Sequence, residues 1–296
     1  MHTTVAYLGP AGTFTEAALL QFDLGEVTGL PVSSPSEALG AVRSGAAQYA
    51  VVAIENSVDG AVTATFDALV ESDERVQVFG EVDLPVEFAI MVRPGSRDRA
   101  KFATHPVAYQ QVRSWIAQEL PDAAFTPASS NAAAAEMVAQ GEADVAAAPA
   151  RAAEIYGLEI IESGVADVRG ATTRFLLVGA PAAPPSPTGS DRTSVVFTLP
   201  NQPGSLVGAL EEFAIRGVDL TRIESRPTRR EFGTYRFYAD LVGHIEDEPV
   251  AEALRALWLR TEELVFFGSW PAAQELDSSR RLAAADEWVA RARRGQ

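Results

Sequence analysis

The sequence predicts an α/β protein in two parts: a two-lobed α/β region, then a smaller βαββαβ sandwich. Three observations carry this. Apolar strand-like runs alternate with helical patterns over residues 1–180, which is the signature of α/β layers. Ala180–Asp191, APAAPPSPTGSD, then sets four prolines between Pro181 and Pro187, a composition that continues neither a helix nor a central strand. Beyond it the pattern runs strand, helix, strand, strand, helix, strand, the order of a ferredoxin-like sandwich.

In the first part, short apolar runs predict strands at Thr4–Leu8, Tyr49–Ile54, Val76–Phe79, Phe88–Val92, Asp144–Ala148 and Phe175–Val178. Helices are expected at Thr15–Phe22, Ser36–Ser44, Ala108–Leu120 and Ala132–Gln140, the last stopped by Gly141. Val112, Trp115, Ile116 and Leu120 recur at spacings of three and four, placing them on one helical face. Such alternation implies mainly parallel sheets in two lobes, with a cleft between them as the ligand site. In the second part the strands are Ser194–Leu199, Asp219–Ser225, Thr234–Val242 and Glu263–Trp270, and the helices Leu206–Arg216 and Val250–Thr261. An antiparallel sheet with helices on one face leaves its edges open to pairing, so a homo-oligomer is expected. Arg280–Arg294 predicts one more amphipathic helix. The resulting division is 1–180, a linker at 181–191, a small domain at 192–270 and a tail at 271–296.

Composition narrows the chemistry. The 296 residues are 47% hydrophobic and 22% charged, enough apolar material for folded cores. There is no cysteine, so disulfides, thiolate metal sites and a cysteine nucleophile are excluded. Three histidines stand far apart and lysine occurs once, at Lys101; no metal site and no cofactor are expected. With 24 basic against 40 acidic residues the formal charge is −16, a field that repels nucleic acid. No stretch approaches a membrane span, and the N-terminus lacks a signal-peptide pattern. The cytoplasm is the expected compartment.

Polar clusters at strand ends carry the candidate chemistry. Gly9–Glu16, GPAGTFTE, joins a strand to a helix; its peptide N–H groups suit an anion at Thr13, or Thr13 and Glu16 form a capping box. Ile54–Gly60, IENSVDG, ends a buried strand, where polar residues line the crevice of an α/β sheet. There Asn56 and Ser57 suit a carboxylate or hydroxyl and Glu55 a proton relay; the alternative is a plain Asx turn. Thr104-His105-Pro106 precedes Gln110-Gln111, and Ser129-Ser130-Asn131 precedes an alanine-rich helix that one of them caps. Thr173 offers a hydroxyl and Arg174 a fork for a carboxylate, just before Phe175. In the small domain, Asn201, Gly204, Ser205, Leu206 and Val207 join strand to helix, and Glu224, Ser225 and Arg226 end the next strand. These read as an effector site or as an ordinary turn and edge.

Taken together, YLGPAGTFTEAA, IENSVDG, THP…QQ and YGLEIIESGVADVRGATTRFLLVG resemble the prephenate dehydratase family across essentially the whole chain. The small domain is similar to an ACT regulatory domain, with GSLV at Gly204–Val207 and ESRP at Glu224–Pro227. Ala171 and Thr104 depart from the family's pattern, where asparagine and serine are common. With no segment before Met1–Leu8 for a fused chorismate mutase, the monofunctional form is expected.

The resemblance implies a periplasmic-binding-protein-like catalytic domain acting on prephenate, a dianion that loses CO2 and its ring hydroxyl to give phenylpyruvate. Aromatisation drives that step, so the family needs no cofactor. The resemblance implies catalytic roles for Thr173, Glu55, Asn56 and Gln111, and substrate binding by Arg174, Thr13, Ser57, Thr104, Phe175 and Ser129. It further implies phenylalanine as effector at the ACT segments, in a homodimer or homotetramer. Arogenate dehydratase and a non-catalytic amino-acid sensor are the alternatives.

Overall fold

The computed structural model describes residues 2–229, 231–274 and 287–295. Two compact units result: residues up to Val76 with Val82–Pro181, and Gln77–Glu81 with the chain from Ala182 on.

The first unit begins with β1 (Thr3–Leu8), α1 (Phe14–Leu19), β2 (Val27–Val32), α2 (Pro35–Arg43), β3 (Tyr49–Asn56), β4 (Gly60–Ala61), α3 (Thr63–Leu69) and β5 (Gln77–Pro85). A second lobe follows: β6 (Ala89–Val92), β7 (Lys101–Thr104), α4 (Pro106–Gln111), α5 (Arg113–Glu119), β8 (Ala124–Pro127), α6 (Asn131–Gln140), β9 (Val145–Ala148), α7 (Ala150–Tyr156) and β10 (Glu159–Ser163). The chain then returns to the first sheet as β11 (Thr172–Gly179). The first sheet runs β2-β1-β3-β11-β5 and the second β10-β6-β9-β7-β8. The first unit thus has two sheets, with the chain crossing to the second after β5 and returning in β11.

The sheets are mixed rather than mainly parallel. β1 runs parallel to β2 and β3, but β11 enters from the other lobe and pairs antiparallel with β3. In the second sheet β7 is parallel to β8 and β9, while β6 runs against β9 and β10.

Local chemistry explains the elements. Ser34 caps α2 by accepting from Glu37 N, and Pro35 starts the helix. Ser130 caps α6, which Gly141 ends in the left-handed region at φ +82°. Ala134, Ala135 and Val138 of α6 meet Ala103, Ala146 and Ala148 of the sheet, and small residues on both sides permit close approach. The single helix expected over Ala108–Leu120 is two, because the backbone breaks at Val112 (φ −124°). Asp167 fills the break: its N–H donates to Gln111 O at 2.7 Å and its carboxylate accepts from Ser114 N at 3.2 Å. Val112, Ile116 and Leu120 still share a buried face.

The second unit holds β12 (Asp191–Thr198), α8 (Ser205–Ala214), β13 (Leu220–Pro227), β14 (Tyr235–Val242), α9 (Glu248–Trp258) and β15 (Glu263–Pro271). Their sheet, β13-β14-β12-β15, is antiparallel, the βαββαβ topology read from the sequence. Ala209, Phe213, Val250, Ala253 and Leu257 of the helices pack on Val195, Phe197, Ala239 and Leu241. Charges lie buried in the same unit: Arg192 Nε stands 2.9 Å from Glu81 Oε2, which also accepts from Trp270 Nε1, and Arg222 pairs with Asp240 at 2.8 Å. Burial opposes ionisation of Asp240, but Arg222 and Arg192 outweigh it and hold the carboxyl below its ordinary range. Of the expected tail helix, residues 287–293 are helical, while 280–286 lie outside the described residues. Among the described residues no helix is long and apolar enough to cross a membrane.

Candidate active site

The end of β3 and the start of β11 lie side by side, with Asn56 opposite Thr173 and Glu55 opposite Arg174. Asn56 Oδ1 accepts from Val58 N at 2.8 Å and Asp59 N at 3.0 Å, the Asx turn that reverses the chain into β4. That fixes which end of the amide is oxygen, so Nδ2 faces the other way and donates to Thr173 Oγ1 at 2.8 Å. Because Thr173 accepts this bond, its own hydroxyl proton is directed elsewhere. Asp59 extends the cluster into the second lobe, its Oδ2 accepting from Gln111 Nε2 at 2.5 Å. Thr173, Asn56, Asp59 and Gln111 thus form one connected polar chain, with Thr173 and Gln111 buried.

Glu55 and Arg174 form the next rung, beside the register shift that follows Arg174. Arg174 does not present an empty fork: its Nε and Nη2 donate to Asp83 Oδ1 and Oδ2 of β5 at 2.8 and 2.9 Å. A carboxylate of the chain itself takes the edge expected to meet a guest.

Other expected residues serve the scaffold. Thr13 caps α1, accepting from Glu16 N at 3.2 Å and donating to Leu8 O, while Glu16 Oε2 accepts from Gly12 N and Arg151 Nε. The capping reading therefore describes GPAGTFTE, and a carboxylate already occupies the Gly12 amide. Ser57 is tied into the ladder by reciprocal 2.9 Å bonds with Thr172. Thr104 is fully buried, its hydroxyl 2.8 Å from Ala147 O and 3.2 Å from Asn131 Oδ1. Phe175 packs in the core. Ser129 is exposed, and Ser130 does the capping. His105 Nδ1 accepts from Val107 N at the start of α4, and burial lowers the imidazole's pKa. Burial and the nearby Glu16 carboxylate raise the Tyr7 phenol, which stays protonated.

Asp59 and Asp83 are the members that sequence reasoning missed. Asp59 lies within IENSVDG, where turn chemistry hides a second role. Asp83 carries no motif and meets Arg174 only through strand pairing.

In the second unit a cavity of about 130 Å3 is lined by Asn201, Ser205, Leu206, Gly233, Tyr235 and Phe237 among others. Gly204 precedes α8 at φ +84°, a conformation that favours glycine. Val207 is exposed and lies outside this lining, as do Glu224, Ser225 and Arg226 on the edge strand β13.

Comparison with known proteins agrees with this arrangement. Residues 5–183 match the prephenate dehydratase family and residues 193–259 the ACT domain. A prephenate dehydratase of Corynebacterium glutamicum is 61% identical, over 99% of this chain and 98% of that protein. A crystal structure of prephenate dehydratase from Arthrobacter aurescens in complex with L-Phe superposes with a TM-score of 0.86 at 39% identity, covering 98% of this chain and 99% of that one. The structure of GqqA, described as a quorum quenching acylase, gives 0.81 at 36% identity, over 91% and 98%; one fold thus carries differently named activities. The full-length match at 61% identity decides between them, and the chain belongs to the prephenate dehydratase family of lyases and carries an ACT domain.

Proposed function

We propose that residues 1–180 bind prephenate and catalyse its conversion to phenylpyruvate, CO2 and water, under control of L-phenylalanine through the ACT domain. The bond from the ring carbon to its carboxylate breaks as CO2 leaves. Its electron pair flows through the ring and expels the opposite hydroxyl, which takes up one proton to become water. Thr173 is the group we assign to that hydroxyl. Its Oγ1 accepts from Asn56, so its proton is turned outward, and accepting one bond strengthens the bond it donates. A threonine hydroxyl is too weak an acid to surrender its proton at neutral pH. Its contribution is a preorganised hydrogen bond to developing negative charge. The observation that carries this assignment is the Asn56–Thr173 bond.

Gln111, joined to Asn56 through Asp59, fixes the second lobe against the reacting end and supplies a further amide donor. Arg174 provides the charge for a guest carboxylate. Thr13, Ser57, Thr104, Phe175 and Ser129 are assigned supporting roles in shaping the site. We place phenylalanine at the cavity beside Asn201, Ser205 and Leu206; the ESRP segment on edge strand β13 suits completion of the site by a second copy, hence a homodimer or homotetramer. The expected compartment is the cytoplasm. Incubating the purified full chain with prephenate and following phenylpyruvate tests the reaction; lack of product overturns it.

A further inference from the structure

We propose that Asp59 is a positioning residue for the reaction, holding the Gln111 carboxamide in one fixed orientation from the opposite lobe. The inference rests on the role given to Gln111 above and names what sets it. Asp59 Oδ2 accepts from Gln111 Nε2 at 2.5 Å. An ionised carboxylate only accepts, whereas a glutamine amide ends in an acceptor and a donor of nearly equal shape. Facing Asp59, the amide is satisfied only with its nitrogen toward the acid, so Oε1 is turned to the other side. A neutral amide or a water at the same point would suit both orientations. Asp59 therefore selects between two otherwise similar states of a side chain that is 7% exposed.

The surrounding bonds leave that choice as the remaining freedom of Gln111. Helix α4 ends at Gln111 and the backbone breaks at Val112. Gln111 O accepts from Asp167 N at 2.7 Å, which pins the main chain of the residue. Its long side chain still carries rotamer freedom that is lost on ordering, and the Asp59 bond orders it before a substrate arrives. Asp59 is itself placed by the Asx turn, its N–H donating to Asn56 Oδ1 at 3.0 Å. One residue thus serves both members of the cluster through different groups, its backbone toward Asn56 and its carboxylate toward Gln111. Removing the carboxylate alone should leave the turn and the Asn56–Thr173 bond in place, so the two functions separate. A charged acceptor also makes a stronger bond than a neutral one. Asp59 is exposed, and water screens an exposed charge, so the acid can support the amide with little repulsion of an anionic guest.

The test is steady-state kinetics with prephenate on the full-length wild type, Asp59→Ala, Asp59→Asn, Gln111→Ala and two double variants. In Asp59→Ala we expect kcat to fall roughly tenfold, about the effect of one hydrogen bond, with KM within about twofold. Asp59→Asn keeps an acceptor of the same shape and should return kcat to within about threefold of wild type. In the Gln111→Ala background Asp59→Ala should add less than about twofold, because its effect passes through the amide. The second double variant, Asp59→Asn/Gln111→Glu, reverses the bond: the lobes stay joined and the charge is kept, but position 111 loses its N–H groups. Its kcat should be no higher than that of Asp59→Ala, whereas a residue that merely ties the lobes together predicts recovery. An unchanged kcat, a loss confined to KM, no recovery in Asp59→Asn, additive effects with Gln111→Ala, or recovery in the reversed pair overturns the proposal. Should Asp59→Ala lower the unfolding midpoint, the reversed pair and Asp59→Asn, which both keep a bond at that place, decide. Wild-type protein without phenylpyruvate formation would overturn the proposed reaction; normal wild-type turnover with an unaffected Asp59→Ala would overturn only the role of Asp59.

Discussion

Asn56 donates to Thr173 across the first rungs of the β3–β11 ladder, 2.8 Å from Nδ2 to Oγ1 and 117 residues apart in sequence. The direction of this bond matters more than its length. The Asx turn consumes the oxygen end of the amide, so Thr173 is made an acceptor toward Asn56 and keeps its own proton for another partner.

Thr173→Ala removes that donor. Loss of a preorganised donor of this kind lowers kcat by about 10²–10³. The fold should be little changed, because the hydroxyl supports no backbone group. Thermal unfolding beside turnover measures both, and Thr173→Ser should recover most of the rate.

Asn56→Asp separates geometry from bond direction. The carboxylate keeps the shape and the turn bonds but cannot donate, so the Thr173 proton turns inward to it. We expect kcat to fall by about as much as in Thr173→Ala. The double variant should then be no worse than either single one.

How much of this was legible follows from where each residue stands. IENSVDG and TTRF were readable because polar residues that interrupt a buried strand at its end stand out, and the structure joins Asn56 to Thr173. The rung beside them was harder: Glu55 reads as a relay next to Asn56, and only strand pairing sets it opposite Arg174. Asp83 was invisible, since it meets Arg174 91 residues away through sheet pairing alone. The βαββαβ order followed from strong alternation, whereas β7, β8 and β10 are short, and exposed β10 has no period to find. The assignment of Gln77–Glu81 to the second unit had no local signal, because Glu81 is explained by distant partners, Arg192, Trp270 and the Ala273 amide.

That buried network makes a stability prediction. Arg192 is 2% exposed, and removing one partner of a buried pair leaves Glu81 uncompensated. Arg192→Ala should cost about 3–5 kcal/mol, read as a lower urea midpoint at unchanged slope. A change below 1 kcal/mol would place the pair among surface-like bridges.

His105 predicts part of the acid side of the stability curve. Burial lowers its pKa in the folded state, so the unfolded chain binds the proton more readily. Stability from this group is full above the ordinary value of 6.5 and declines as pH falls below it. Protonation also removes the Nδ1 acceptor that caps α4. Asn at position 105 keeps a cap acceptor without titrating, so His105→Asn should flatten the loss of urea midpoint between about pH 6.5 and 5. An identical slope in both proteins would contradict this.

For the effector cavity, Asn201→Ala in the full chain should raise the phenylalanine concentration needed for half-inhibition roughly tenfold. Uninhibited kcat should stay within about twofold, since Asn201 belongs to the second unit. Inhibition curves at fixed prephenate give the answer.

The central claim is that a hydroxyl aimed by Asn56 eases water from the ring of prephenate. Single-turnover formation of phenylpyruvate by wild type and Thr173→Ala, in matched chelator-treated buffer, tests it most directly. The account predicts rapid product from wild type and a rate about 10²–10³ lower in the variant. Equal rates, or prephenate left intact by the wild type, would contradict it.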